Sequence, residues 1–289
     1  MSKKWDGKSK GNKAGYQFFV SAIIIFGLGA TYFFLRFVTF YYYLFSPTKK
    51  YLLDFYQNGL GKTLNQSKKL ARENYYIFGQ TLVDRFAFLI GKGKQYDHKS
   101  IGGEHLKQLV ENGKGGILLS GHLGNWELAG NFLKVNYNAK VNVLMYQAEA
   151  EKMADFFESV TGGVDFNIIP IKDDFSHIIK IHMALGRNEF ICLHADRNMP
   201  GAKTIELDFL GRKANFPLGP FQLCSKFDVP VCYVFNVKTD KYFYSLSSSA
   251  PITKKLSAEE FVKKYITTFE EKCKDHPEQW FNFYDFWAK

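Results

Sequence analysis

The stretch GILLSGHLGNWELAGNFLKV, residues 116–135, changes its hydrophobic period halfway along. Ile117–Ser120 is a short unbroken apolar run, as expected of a strand buried on both faces, and Gly113–Gly116 breaks the chain just before it. Gly121 and Gly124 then allow a tight bend, after which apolar residues recur at helical spacing from Asn125 to Val135. Strand, turn and helix in this order form the opening unit of a parallel α/β sheet, where functional groups gather at the carboxyl ends of the strands.

The pattern repeats outward from this unit. Val141–Tyr146, Phe166–Ile171, Phe190–His194, Val229–Val237 and Tyr242–Ser247 read as strands. Between and around them, His105–Asn112, Ala148–Val160, Phe175–Leu185 and Ser257–Cys273 read as helices, the last opened by the capping-box spacing Ser257-Ala-Glu-Glu260. Upstream, Leu64–Ile90 has helical periodicity and no breaker except Gly79, which predicts one or two amphipathic helices. The expected class is α/β, with a largely parallel central sheet flanked by helices and an N-terminal hydrophobic, membrane-anchoring helical segment. No repeat or linker marks a further division. The chain therefore divides into a basic N-terminus and anchor over residues 1–50 and a single α/β domain over residues 51–289.

Composition narrows the class further. Of 289 residues, 46% are hydrophobic and 17% aromatic, which excludes a disordered or low-complexity chain. Four cysteines without a Cys-x-x-Cys pair exclude a disulfide scaffold or zinc ribbon. The formal charge of +10 lies entirely within residues 1–72, and the remainder balances at 26 basic and 26 acidic residues. A nucleic-acid protein with a basic main domain is thereby disfavoured. Between the two basic clusters, Phe18–Phe45 is apolar and broken only by Arg36. It is too long, and too aromatic at its end, for a cleaved secretory signal. Basic residues on both flanks favour a helical hairpin or in-plane helix kinked near Gly27 and Gly29, with both ends on the cytoplasmic side and its lysines on anionic headgroups, over a single span.

The chemistry concentrates at Ser120-Gly-His-Leu-Gly-Asn-Trp-Glu127. On one continuous helix, residues five apart lie about 140° from each other. His122 and Glu127 can meet only if the histidine stands in the glycine bend and folds back over the first helical turn. A carboxylate bonded to an imidazole fixes its tautomer and makes it a general base. With no Gly-x-Ser-x-Gly, and with Ser120 ahead of the bend, direct attack by an acceptor on an activated acyl group is better supported than a covalent acyl-enzyme. The same spacing equally suits a loop histidine beside a helix surface charge, so both readings stay open. No metal site is expected, since His-Glu-x-x-His is missing and the remaining histidines form no i, i+4 pair. Trp126, Leu128, Phe132, Phe209 and Phe216 are candidates to line an apolar groove near His122. The backbone N–H groups of Gly121–Asn125, or Arg197, are candidate oxyanion donors. Arg212-Lys213 is a candidate holder of an acidic donor or a phosphate.

The His-x4-Glu string after an apolar strand resembles the lysophospholipid acyltransferase superfamily and, within it, the late lipid A acyltransferases. Ala195-Asp196-Arg197 after a strand, Asp208-Phe209-Leu210-Gly211 before a Pro217/Gly219 helix start, and Pro277-Glu-Gln-Trp280 followed by aromatics resemble that branch as well. The resemblance implies transfer of a fatty acyl group from an acyl-carrier-protein or coenzyme A thioester to a hydroxyl or amine on a membrane lipid such as a lipid A precursor. His122 would be the base and Glu127 its partner, with no bound cofactor or metal. Gly124, Asn125, Trp126, Asp196, Arg197 and Arg212 would contact substrates. The protein would sit at the inner membrane with its catalytic domain facing the cytoplasm. Rival expectations are a non-catalytic membrane-anchored lipid-binding protein of the same fold, and a thioesterase.

Overall fold

The computed structural model describes residues 13–147, 150–151, 166–172, 174, 176–198 and 201–287. Its N-terminal third is helical: α1 (Lys13–Phe45), α2 (Lys49–Asp54) followed by a π-helical turn, and α3 (Leu64–Leu89). The long periodic segment forms one helix, α3, which starts at a capping box in which Thr63 and Gln66 bond reciprocally. The domain continues through β1 (Asp97–Ile101), α4 (Gly103–Glu111), β2 (Gly116–Ser120), α5 (Trp126–Tyr137), β3 (Val141–Tyr146) and β4 (Asn167–Ile171). Then come α6 (Ser176–Gly186), β5 (Phe190–His194), the hairpin β6 (Thr204–Phe209) and β7 (Arg212–Pro217), and α7 (Gly219–Lys226). The last elements are β8 (Val231–Asp240), β9 (Phe243–Ser248) and α8 (Ala258–Asp275). The helix expected over Ala148–Val160 falls mostly outside the described residues.

Seven strands form one sheet in the order β1-β9-β8-β2-β5-β3-β4. Every neighbouring pair is parallel except β8–β9. The expected α/β class is what the structure has, with helices on both faces. One face buries Leu119, Leu193, Phe235 and Phe269 together with α6, α7 and α8, and the other buries Leu118, Leu128, Phe132 and Val143 beneath α1, α3, α4 and α5. Three strands and the short helix α2 were not expected from the sequence. The edge strand β1 has the residues DHKSI, all but one exposed, and so carries no apolar alternation. The β6–β7 hairpin forms a separate two-stranded sheet around the turn at Leu210-Gly211.

α1 does not stand apart from the domain. It bends at Gly27, whose φ of 76° and ψ of 169° no helix accommodates. One face, including Ile23, Leu28, Tyr32 and Leu35, is buried, while Phe18, Ile25, Phe26, Phe33, Phe37 and Phe45 are exposed. The buried face lies along α3. At the crossing, a side chain on Gly79 would come within 2.8 Å of Thr39 and 2.9 Å of Leu35, so glycine permits the approach. A buried polar cluster locks the joint. Asp84 of α3 accepts hydrogen bonds from the hydroxyls of Tyr32, Tyr96 and Tyr244 and from Lys238 Nζ at 2.6 Å. This one carboxylate therefore fastens α1 and α3 to β8 and β9. Burial pushes the Lys238 ammonium down, against the opposing pull of Asp84.

Candidate active site

The site follows from the register of two central strands. β2 and β5 are adjacent and parallel with Ser120 opposite His194, so the bend after β2 and the loop after β5 emerge side by side. Ala195 N–H continues the ladder by donating to Ser120 O at 2.9 Å. Two residues beyond His194, Asp196 thereby arrives at His122.

Their contact is double. Asp196 Oδ1 lies 2.7 Å from His122 Nδ1, and Oδ2 accepts the His122 backbone N–H at 3.0 Å. The indole of Trp280 also donates to Oδ2, at 3.2 Å. Burial alone would push the Asp196 carboxyl up, but the neighbouring His122, its hydrogen bond and the Arg197 charge outweigh it and hold the group well below the carboxylate range. An ionised acceptor at Nδ1 keeps the ring proton on that atom and makes Nε2 the nitrogen that takes another. The His122 side chain retains 20% exposure while Asp196 has 1%, so the base can be reached and its anchor cannot.

The expected partner, Glu127, is engaged elsewhere. Its Oε1 accepts from Arg85 Nη1 of α3 at 2.7 Å, and its Oε2 is buried with no hydrogen-bond partner among the described residues. The pinning of His122 by Glu127 is thus corrected to pinning by Asp196. Glu127 sits in the first turn of α5, which directs it toward α3, whereas His122 lies in the bend beside β5. Burial raises the Glu127 carboxyl and Arg85 opposes the shift.

The other expected site residues separate into distinct roles. Gly124, at φ 73°, packs so closely on β8 that a Cβ would stand 2.1 Å from Asn236 O, and its N–H donates to Gln279 O at 2.9 Å. Asn125 caps α5 by accepting from Leu128 N–H at 3.3 Å, and its amide donates to Thr81 O and the Tyr244 hydroxyl. Its own N–H donates to Asn236 O at 2.7 Å. The N–H groups of residues 122, 124 and 125 are therefore committed within the protein, which overturns their expected use as oxyanion donors. Arg197 donates to Phe281 O at 2.9 Å. Arg212 pairs with Asp54 at 2.7 Å and lies over the Trp287 ring at 4.3 Å, so its charge is already matched. Lys213 pairs with Asp208.

Three residues that the sequence left unassigned belong to the site. His194 stacks on His122 with ring centroids 4.3 Å apart and meets Trp126 edge-on at 5.3 Å. Burial, helped by the charge of His122, pushes His194 down to about 3, so it is neutral. Trp280 and its neighbours form a strap: Phe281 N–H donates to His122 O at 2.9 Å, next to the Gly124 bond to Gln279. Arg85 is the third. Ligand atoms of His122, His194 and Asp196 lie within 4.8 Å of one another. A metal must lie near the plane of each imidazole that binds it, and two rings stacked at 29° do not present their edges to one point. The trio fits a hydrogen-bonded base.

An apolar slot enclosing about 480 Å³, its open part included, begins beside this pair. It lies between α5 and the sheet, running from His194, Trp126 and Val234 to Leu133 and Val141. Of the expected groove residues, Trp126 lines it. Leu128 and Phe132 pack in the surrounding core, and Phe209 and Phe216 lie in the core on the opposite face of the sheet.

Fold and site together define a parallel α/β protein with a carboxylate-held histidine at the carboxyl edge of its central strand, beside a slot of hydrocarbon character. Residues 57–289 match the bacterial lipid A biosynthesis acyltransferase family, to which this chain belongs. It is similar to the phosphatidylinositol mannoside acyltransferase of Mycobacterium tuberculosis, 26% identical over 131 residues (45% of this chain, 41% of that protein). It is also similar to the protein of that name from Mycolicibacterium smegmatis, 28% identical over 132 residues (45% and 42%). The chain spans about two fifths of the length of these curated relatives.

Proposed function

We propose that the protein transfers a fatty acyl group from a thioester, carried by acyl carrier protein or coenzyme A, to a hydroxyl or amine on a membrane lipid such as a lipid A precursor. The observation that carries this reading is the 2.7 Å bond from His122 to Asp196 at the head of an apolar slot. Nε2 of His122 takes the acceptor's proton as its oxygen or nitrogen attacks the thioester carbonyl. The new acyl bond forms, the carbon–sulfur bond breaks, and the imidazolium returns the proton to the departing thiolate. Asp196 stays ionised and stabilises the transient imidazolium. The slot takes the hydrocarbon chain of the donor, keeping its carbonyl beside the base. Family membership and the two mycobacterial acyltransferases support the reaction class.

The lipid acceptor would be met at the inner membrane, with the domain on the cytoplasmic side. The contacts of α1 favour an in-plane placement within one leaflet. Arg36 lies over the Tyr76 ring at 5.7 Å, Arg72 over Phe40 at 5.0 Å and Lys49 over Tyr43 at 4.8 Å, so cations accompany the helix along its second half. A spanning α1 would drag these charges into hydrocarbon, whereas an in-plane helix leaves them at the headgroups with its exposed phenylalanines in the acyl layer.

The test mixes purified protein with acyl thioester and lipid extract, reading free thiol and acylated lipid by mass spectrometry. Acylated lipid that disappears in His122→Ala is the expected result. Free fatty acid alone identifies a thioesterase, and no thiol release identifies a non-catalytic lipid binder; either overturns the proposal.

A further inference from the structure

Attack on a thioester carbonyl drives negative charge onto its oxygen, which needs a hydrogen-bond donor already in place. The bend after β2 has committed three of its own: the N–H groups of residues 122, 124 and 125 donate to Asp196, Gln279 and Asn236, and Arg197 donates to Phe281 O. β5 supplies a side-chain donor instead. Its residues alternate, with Leu193 entering the core shared with α8 while Cys192 and His194 face α5 and line the slot. His194 ends the strand opposite Ser120, stacked on His122 with centroids 4.3 Å apart and edge-on to Trp126 at 5.3 Å, so two neighbours fix its ring. Proton transfer from acceptor to His122 and on to the thiolate leaves this second ring without a task.

Building on the acyl-transfer reading, we propose that His194 is a second catalytic residue, whose Nε2–H binds the thioester carbonyl oxygen and the charge that grows there. Nδ1 is buried and makes no hydrogen bond among the described residues; the Gly121 carbonyl stands near the ring but outside bonding geometry. Nothing at Nδ1 therefore holds the ring proton, and an oxygen arriving at Nε2, the outer nitrogen, keeps the proton there. Burial holds the ring neutral, with its value down at about 3. Neutrality matters beside a base, because a second imidazolium at stacking distance would oppose the proton that His122 takes up. As the acceptor's oxygen or nitrogen attacks, the carbonyl π pair moves onto the oxygen held by His194. When that pair returns, the carbon–sulfur bond breaks and the thiolate takes its proton from His122. The proton on His194 stays in place throughout.

Two measurements on the full-length protein separate this role from the reaction it rests on. The first needs no acceptor: difference infrared spectra of an acyl-coenzyme A carrying ¹³C at its thioester carbonyl, mixed with wild type or with His194→Phe. A hydrogen bond at the oxygen weakens the C=O bond, so the wild-type band is expected at lower frequency than that of His194→Phe, which keeps a stacked ring but has no donor. The second measures kcat and KM for transfer to lipid from pH 5 to 9, with circular dichroism finding each variant folded. His194→Phe is expected to lose about 10²- to 10³-fold in kcat at every pH while KM stays within about threefold. His194→Gln, whose terminal NH₂ falls near the place of Nε2, is expected to regain at least about tenfold of that loss. Equal infrared bands overturn the role. So does a loss in His194→Phe confined to acid pH, which would mean only a retuned His122, or a His194→Gln no better than His194→Phe. An infrared difference that comes with no transfer by the wild type upholds His194 as the carbonyl's donor and overturns the reaction instead.

Discussion

Replacing Asp196 with asparagine is the sharpest perturbation of the site, because three donors converge on that carboxylate: His122 Nδ1–H, His122 N–H and Trp280 Nε1–H. Asparagine has one acceptor oxygen and one NH₂ group. If its oxygen serves the backbone and indole donors, the NH₂ faces Nδ1, which must then accept. The ring proton moves to Nε2 and the base is lost. If the oxygen instead faces Nδ1, the NH₂ meets two N–H groups. Holding the wrong tautomer costs about 10³- to 10⁴-fold in kcat, or roughly 4–5.5 kcal/mol of barrier. Hydrogen bonds to a charged group are worth about 1.5–3 kcal/mol each, and relief of the carboxylate's own desolvation offsets part of their loss. A net destabilisation of about 2–3 kcal/mol lowers Tm by roughly 5–10 °C in a domain of this size. The assay is kcat at saturating thioester and lipid from pH 5 to 9, at a temperature where circular dichroism finds both proteins folded. Raising the pH is not expected to rescue the variant, since its defect is a misplaced proton and not an excess one. Turnover of Asp196→Asn within tenfold of wild type, with Glu127→Gln falling 10³-fold, would refute the assignment and restore Glu127 as the partner of His122.

Other expectations follow from the surrounding contacts. Glu127→Ala removes the 2.7 Å carboxylate partner of the half-buried Arg85 and is expected to destabilise by about 3–5 kcal/mol in urea titrations, while Glu127→Gln keeps kcat within about tenfold; the reverse ranking would point to a direct role in the reaction. Because the folded value of His194 is depressed to about 3, the unfolded chain binds more protons as pH falls below about 6.5, and stability is lost toward acid with a slope approaching 1.4 kcal/mol per pH unit. His194→Phe keeps the stacked ring and is expected to remove that contribution between pH 6 and 4, and an unchanged slope in denaturation at each pH would contradict it. Lys238→Met leaves Asp84 buried and unmatched and is expected to lower stability by about 3–5 kcal/mol, with Asp84→Asn added to it recovering at least 1 kcal/mol; strict additivity in this cycle would deny the coupling.

How much of this was readable in the residues depends on the range of the interaction. β2, β3 and β5 were legible because buried parallel strands are locally apolar, and α8 because Ser257 and Glu260 form their capping box within one turn. β1 was not, because an exposed edge strand needs no apolar pattern. At the site, the histidine in its glycine bend was legible and its partner was not. Five residues of separation brought Glu127 into consideration, whereas the true neighbour is set by β5 lying next to β2 and by Ser120 standing opposite His194. That adjacency is a property of sheet order, and no local spacing encodes it. Arg85 escaped notice for the same reason: its charge is matched across helices that only packing brings together.

The strap at residues 279–281 has a consequence for biogenesis. The bend bearing His122 is completed by backbone bonds to segments separated from it in sequence by most of the domain. Until residues 279–281 are in place the bend holds His122 without these two bonds, so the ring's final position is a property of the completed fold and of no smaller fragment.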